Sequence, residues 1–197
     1  MNIKYYEEYL HYKNIGIKTK AKEYIDNFIH SFKNYDEKEL WTIEYLPKID
    51  FDSNGRVRNE LFEEIIFPVL WNGYNNKNIE LMIWLTKLEQ NYCQNLRIWK
   101  KMDYKSSTQI INECYEIAPN NEDILDLYLE LEIASISYSI HEWPSGILNG
   151  NDGATKDECK NLLDKIPFFH KLDRNKKYFE FINDFEDKLK EYMERLK

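Results

Sequence analysis

The sequence is poor in the residues that mark disulfide-rich, metal-binding and membrane-spanning proteins. It has 3 cysteines, 6 glycines and 5 prolines in 197 residues. Cys93, Cys114 and Cys159 are odd in number, lie far apart and form no C-x-x-C pair, which argues against a disulfide framework and a zinc site. The longest uncharged apolar run, 65–71, is far too short to span a bilayer. We therefore predict a reduced protein with no bound metal and no membrane partner.

Positive charge is also in short supply. Lys and Arg number 27 against 35 Asp and Glu, a net charge of -8, so the chain should repel phosphate backbones and bind no nucleic acid. The sequence contains no Gly-rich phosphate loop, no H-E-x-x-H and no dinucleotide fingerprint, so we predict no cofactor. Its first residues, MNIKYYEE, place two acids where a signal peptide needs an apolar core. These features predict a cytoplasmic protein.

Most of the chain has apolar residues at helical spacing, and the prolines fall near the edges of these segments. The residue pairs Asp36 with Glu39, Ser106 with Gln109, and Thr155 with Glu158 are spaced as N-terminal caps. The longest helix is predicted to begin near residue 79 and run to Trp99. The last is predicted over 175–196, with a heptad seam that docks on the body. A polar turn is predicted at 50–55, and Pro68 is expected to stop or kink the helix that begins at Asn59.

The stretch 121–142 has a pattern that fits both a strand and a helix. Apolar and polar residues alternate from Leu125 to Ile140, which is the period of a strand. The same residues form two apolar flanks at helical spacing, and Asn121 is a good N-cap followed by acids that favour the helix dipole. No turn residue interrupts the run before Pro144, and strands rarely exceed about 10 residues. We predict a central helix with neighbours on two sides.

Together these patterns predict an all-α fold. We expect a single compact domain, 1–197, of about eight or nine helices packed as antiparallel hairpins around the central helix at 121–142. A chain of this length can bury about 70% of the surface that its unfolded form exposes.

The segment 113–121, ECYEIAPNN, resembles the end of a tetratricopeptide repeat, where a helix closes on Pro-Asn before the next repeat opens. A similar Asn-rich opening occurs 45 residues earlier, at 75–79, and this spacing lies in the range of helical-hairpin repeats. The Trp, Gly and Tyr positions expected earlier in such a repeat are not matched. The resemblance implies helical hairpins stacked side by side, and as one alternative function an adaptor that binds peptides.

The predicted loop at 141–153 contains three of the six glycines and several polar side chains. Loops of this length between helices are more often functional than short ones. Our candidate partner-binding residues there are His141, Glu142, Trp143, Ser145, Asn149, Asn151 and Asp152. The structural alternative is that Asn-Gly and Asp-Gly form turns while Trp143 plugs the core and Pro144 stops the central helix.

Two kinds of chemistry at this loop are alternatives to protein binding. Asn149, Asn151 and Asp152 offer oxygens to a cation, but their spacing is not that of an EF-hand. His141 with Ser145 or Cys159 would suit a hydrolase with its site around 141–152, but no nucleophile elbow is present. We therefore predict no catalytic residues and no metal ligands. A basic cluster at 170–177 is read as solvated charge, with a phosphate or an acidic partner as the alternative.

The acidic charge and an aromatic content of 15% favour a non-catalytic protein that binds another, basic protein, because Trp and Tyr dominate interface hot spots. In size, charge and helicity the chain is similar in general character to bacterial immunity proteins. That resemblance implies neutralisation of a cognate toxin by covering its active site. The sequence leaves the oligomeric state open.

Overall fold

The computed structural model describes residues 1–49 and 57–196 and is 74% helical. The all-α prediction is therefore confirmed. The polar turn predicted at 50–55 lies outside the described residues. The chain divides into two compact units, 1–110 and 111–197, which are described separately below. The prediction of a single domain over 1–197 stays a prediction.

The described residues of the first unit are mostly helical. Its helices are α1 (Ile3–Asn14), α2 (Lys18–His30), α3 (Tyr35–Tyr45), α4 (Asn59–Leu61), α5 (Phe67–Asn75), α6 (Ile79–Lys87), α7 (Glu89–Cys93) and α8 (Leu96–Lys101). A 3-10 turn, Leu46–Lys48, follows α3, and a π-helical turn, Phe62–Ile66, joins α4 to α5. The helix α9 (Ser107–Ile117) contains the division between the units.

The first three helices pack through aromatic side chains. α1 and α2 form a hairpin that turns at Gly16, whose φ of 79° suits glycine. The ring of Tyr6 on α1 lies 5.1 Å from Phe28 on α2 and 5.5 Å from Trp41 on α3. The cap of α3 is Asn34, whose side chain accepts from the Glu37 amide. The predicted cap at Asp36 was therefore wrong by two residues, and Asp36 instead lies in the first turn.

The helix that begins at Asn59 continues through Pro68 and is not stopped by it. Just before the proline, the Phe67 amide donates to the Phe62 carbonyl, the wider spacing of a π-turn. Proline lacks an N–H, so the carbonyl four residues earlier, that of Glu64, loses its usual donor. Lys38 Nζ donates to that carbonyl at 2.9 Å. The π-turn thus has a structural cause, and α3 is tied to it.

The long helix predicted from residue 79 to Trp99 was wrong, because three shorter helices, α6, α7 and α8, take its place. α6 ends at Leu88, and the side chain of Asn95 starts α8 by accepting from the Ile98 amide. The register of the buried face changes at this cap. Ile98 is buried whereas Leu96, which the stripe had placed inside, is exposed. Local capping by Asn therefore overrode the apolar spacing.

α5 and α6 form a hairpin of unusually close approach. A Cβ added at Gly73 would lie 2.5 Å from the Leu81 side chain, so only glycine fits there. Lys77 takes the left-handed conformation in the turn, with a φ of 55°, and the Asn78 side chain caps α6. Each of the Asn-rich stretches near 75 and 120 supplies an N-cap, Asn78 for α6 and Asn121 for α10 (Glu122–Ser139). The two caps do not occupy matching positions of the stretches.

The second unit contains α10, α11 (Lys156–Leu172), α12 (Phe179–Arg195) and a small antiparallel hairpin. The hairpin strands are β1 (Leu148–Asn149) and β2 (Asp152–Gly153), with Leu148 opposite Gly153. The core of this unit takes buried residues from α10, the hairpin, α11 and α12. The central helix predicted at 121–142 is thus present, ends about one turn earlier than predicted, and uses both apolar flanks. One flank meets Tyr115 and Phe168, and the other enters the core.

The cap predicted for α11 and the seam predicted for α12 are confirmed. Thr155 and Glu158 form the full capping box of α11. α12 begins at Phe179, four residues later than predicted, and its heptad seam packs into the core as predicted. Two of the cations that precede it are paired with acids on α10. Arg174 contacts Glu122 and Asp126 at 2.8 and 2.9 Å, and Lys177 contacts Glu130 at 3.4 Å.

Candidate functional site

The predicted surface at 141–153 is an ordered turn and hairpin held at its base by two buried residues. Ile147 and Ala154 are almost fully buried, and the Ala154 amide donates to the Ile147 carbonyl at 2.7 Å. The structure brings the seven candidate residues onto one short segment of surface. Six of them, His141, Glu142, Ser145, Asn149, Asn151 and Asp152, are exposed, and Trp143 is half-buried.

The two ring nitrogens of His141 are both engaged by neighbours. Nδ1 lies 2.6 Å from the Tyr138 carbonyl oxygen, and Nε2 lies 3.0 Å from the Glu142 carboxylate. Neither nitrogen is directed at Ser145, so the ring is placed as a surface group beside a carboxylate. This geometry supports recognition of another molecule more than activation of a hydroxyl.

Trp143 attaches the loop to the last turn of α12. The guanidinium of Arg195 lies 4.8 Å from the centre of the Trp143 ring, and its Nη1 donates to the Pro144 carbonyl at 2.8 Å. Tyr192 lies against Gly146 and Gly153. The loop and the C-terminal end of α12 therefore share one surface.

Asn149 has a structural role besides its exposure. Its side-chain amide donates to Glu158 at 2.5 Å, and Glu158 in turn accepts from the Thr155 amide and hydroxyl. These hydrogen bonds, first of all the one from the Thr155 backbone, hold the pKa of the Glu158 carboxyl below its usual range. Asn149 thus links the hairpin to the cap of α11. Among the described residues no group of three metal-ligating side chains is found.

The cysteines are poorly suited to nucleophilic chemistry. Burial, followed by the negative charge of Glu89, raises the pKa of Cys93 to about 11. Burial also raises the pKa of Cys114 to about 11, with Glu113 adding to the effect. Cys159 is fully buried in the core, and burial raises its pKa as well. These thiols stay protonated near neutral pH, and a thiolate is the form that attacks.

An acidic stripe on α12 extends the loop surface. We define the stripe as five exposed residues at 4, 3, 4 and 3 spacing: Glu180, Asp184, Asp187, Glu191 and Glu194. At about 100° per residue they fall within an arc of about 80°, opposite the buried seam. Asp184 and Glu191 are paired with Lys188 and Arg195 on the same helix. The stripe is therefore partly neutralised, and it ends where Arg195 meets Trp143.

The charge of the chain is divided unequally between its units. Residues 1–110 contain 16 Lys and Arg against 16 Asp and Glu, whereas residues 111–197 contain 11 against 19. The whole excess of -8 is thus carried by the second unit. We define the C-terminal acidic face as the acidic stripe together with the loop at 141–153.

A second surface, which was not predicted from the sequence, lies between α1 and the end of α3. We call it the α1–α3 groove; it is a cleft of about 520 Å³. Its lining is Met1, Ile3, Tyr6, Leu10, Lys13, Trp41, Glu44, Tyr45, Lys48 and Ile49. Its floor is aromatic, since Trp41 and Tyr45 stack at 4.5 Å with their planes 14° apart.

Tyr6 stands edge-on to both rings of that stack, at 75° to Trp41 and 86° to Tyr45. Its hydroxyl is hydrogen bonded to that of Tyr45, and burial is the main reason that the pKa of each phenol is raised. The floor is thus a fixed set of neutral rings. Ile3 and Leu10 at its edge remain 46% and 37% exposed.

The sequence contained one signal for this groove. Ile3, Tyr6 and Leu10 recur at helical spacing on α1, and a helix of such a pattern is normally covered. Together with Tyr5 and Tyr9 they give α1 an amphipathic pattern. In the structure only Tyr9 of α1 is fully buried. The neighbouring helices therefore cover only part of the apolar face of α1, and the rest remains exposed.

Among the described residues no helix is both long and apolar enough to cross a bilayer. Comparison with known proteins found no matching family model, no matching curated protein and no matching solved structure.

Proposed function

We propose that this chain is a non-catalytic protein that binds a basic protein partner through its C-terminal acidic face. The observation that carries the proposal is the division of charge: the whole excess of -8 lies in residues 111–197. A surface of one sign steers an oppositely charged partner and raises its rate of association. The partly exposed Trp143 beside this charge is the type of residue that anchors an interface.

The chemistry of the site supports binding over turnover. His141 is held by the Tyr138 carbonyl and Glu142, and the cysteine thiols have raised pKa values. A bacterial immunity protein has this combination of an acidic recognition surface and no chemistry of its own. We propose that role, in the cytoplasm and against a basic toxin, as the most specific form of the function.

The test is affinity capture with two charge-reversed variants of equal net charge. Asp152→Lys with Asp187→Lys and Glu194→Lys reverses three exposed acids of the acidic face. Glu7→Lys with Glu8→Lys and Glu23→Lys reverses three exposed acids of the first unit. We expect wild type and the first-unit variant to capture one basic protein in equimolar amount from a lysate of the source organism. The acidic-face variant should capture none of it.

The immunity role makes a further demand on the captured protein. Expressed alone it should arrest growth of a host cell, and co-expression of wild type should restore growth where the acidic-face variant does not. Capture that is equal for all three proteins, or lost equally in both variants, would reject the acidic face as the binding surface. If the captured protein is not toxic, the proposed binding function would still hold but the immunity role would be rejected.

A further inference from the structure

The α1–α3 groove differs from the acidic face in position, lining and charge. Its two sides are stripes on separate helices, Ile3, Tyr6, Leu10 and Lys13 from α1 and Trp41, Glu44, Tyr45 and Lys48 from α3 and the turn after it. Ile3 and Leu10 of α1 are exposed and line the groove with the partly exposed Tyr45 of α3. Apolar groups that are left open together on a folded unit mark interaction sites. A binding surface here would be independent of the function proposed above.

The two helices that form the groove run in the same direction. Residue 1 meets Glu37 at one end, Tyr6 meets Trp41 and Tyr45 in the middle, and Lys13 and Lys48 line the same cleft near the C-terminal ends of the helices. From Ile3 to Lys13 the groove is about 15 Å long at about 1.5 Å per residue. This length matches about three turns of a helix laid between them.

The charges of the lining set the direction of such a helix. Lys13 and Lys48 stand at one end, and Glu44 lies one turn before Lys48. Helix N-termini favour carboxylates in their first turn. A helix that enters antiparallel to α1 and α3 places that first turn beside the two lysines. A neutral or basic residue of its next turn then faces Glu44.

We propose that the α1–α3 groove binds an amphipathic helix of a partner protein, antiparallel to α1, with apolar anchors at i, i+4 and i+7 and carboxylates in its first turn. Ile3, Leu10 and the partly exposed rings of Tyr6 and Tyr45, which pack on the buried Trp41, receive the anchors. Lys13 and Lys48 pair with the carboxylates and set the orientation. This is recognition of a helix in a groove, at a surface separate from the C-terminal acidic face.

The test uses two stapled helical peptides of about 14 residues, a length at which an unstapled helix is marginal. The acid-first probe has Glu in its first turn, Leu and Phe at the anchor positions and Lys in its later turns. The reversed probe exchanges Glu and Lys and keeps everything else. Fluorescence anisotropy with the full chain should give a dissociation constant about tenfold lower for the acid-first probe, a difference of about 1.4 kcal/mol, because exchanging Glu and Lys replaces several attractive charge pairs with repulsive ones.

Three variants locate the binding. Leu10→Glu should abolish it, whereas Ile43→Glu should leave it unchanged, because Ile43 lies on α3 outside the groove and is 47% exposed. Lys13→Glu with Lys48→Glu should reverse the preference between the two probes. Circular dichroism melts of all variants should match wild type, since every substituted residue is exposed.

Several results would overturn the proposal. Equal affinity for both probes would remove the role of the lysines, and equal weakening by Leu10→Glu and Ile43→Glu would place binding outside the groove. A wild-type dimer in sedimentation that Leu10→Glu dissociates would assign the groove to a second copy of this chain. None of these outcomes affects the capture experiment above, which depends on residues of the other unit.

Discussion

The two units bury their apolar residues similarly but differ in what they leave on the surface. The first unit has balanced charge and exposes apolar groups along the α1–α3 groove. Aromatic rings and two lysines in the lining of this groove determine which partner can bind there. The second unit carries all the excess negative charge, and its C-terminal acidic face combines exposed carboxylates with an imidazole and one half-buried indole. The net negative charge of the chain is therefore a property of its second unit alone. Any account of binding must therefore treat the units separately.

The largest expected effect is on the free energy of unfolding, measured separately for each unit. Phe28 in the first and Phe185 in the second are fully buried, and replacing either with alanine should cost about 3–5 kcal/mol by leaving a cavity. If the units unfold separately, hydrogen exchange should accelerate only within 1–110 for Phe28→Ala and only within 111–197 for Phe185→Ala. Equal acceleration throughout for both variants would show one cooperative domain, as the sequence had predicted.

A smaller effect compares two glycines. Gly73→Ala places a methyl group 2.5 Å from Leu81, whereas Gly146→Ala places one 3.7 Å from Tyr192, an ordinary contact. Overpacking should make the first variant less stable by about 2 kcal/mol, while the second should change by less than about 0.5 kcal/mol. Urea denaturation measures both. Similar losses at the two sites would contradict the close α5–α6 approach.

Two lysines in the left-handed conformation offer a gain instead of a loss. Lys77 and Lys176 have φ values of 55° and 56°, and glycine avoids the cost of about 1 kcal/mol that a side chain has there. Lys77→Gly should stabilise the first unit by about that amount. Lys176→Gly should gain less, because its ammonium lies 5.7 Å from the Phe179 ring and that contact is lost. Thermal melts would decide, and equal gains would show that the ring contact contributes nothing.

The smallest effect concerns the cap that joins the hairpin to α11. Hydrogen bonds from Thr155 and Asn149 hold the pKa of Glu158 below the value of about 4.3 for a free glutamate. A lowered folded pKa stabilises above the unfolded value, and this contribution disappears as pH falls through the folded pKa. The NMR shift of the Thr155 amide, which donates to Glu158, should titrate with a midpoint below about 4.3. Glu158→Gln should abolish that titration. A wild-type midpoint above about 4.3 would contradict the capping geometry.

Helices whose signals are local were predictable from the sequence. Asn121, Thr155 and Glu158 cap their helices where the pattern placed them, since a cap depends on residues only three positions apart. The seam of α12 was predictable for the same reason. The break at Asn95 was missed because the apolar spacing continued across it. The prediction that Pro68 stops or kinks its helix left two outcomes open, and the contact of Lys38 with the Glu64 carbonyl could not be predicted because Lys38 is distant in sequence.

The candidate sites were predictable to different degrees. The loop at 141–153 could be identified because glycines and polar residues cluster there. Its connection to α12 could not, since it depends on Arg195 and Tyr192, which are roughly forty to fifty residues away. The α1–α3 groove was missed because its two sides come from separate helices, and no local pattern states that Leu10 remains uncovered. The basic cluster at 170–177 did not reveal which groups its cations contact. The structure shows that Arg174 pairs with acids of α10.

The most direct test of the central claim is the salt dependence of partner binding. The dissociation constant of the captured basic protein would be measured by calorimetry at low and physiological ionic strength, for wild type and for the variant with Asp152, Asp187 and Glu194 changed to lysine. Screening weakens attraction between exposed charges, so wild-type affinity should fall steeply with salt, and the variant should bind weakly at both. An affinity that is independent of salt and unchanged in the variant would contradict recognition through the C-terminal acidic face.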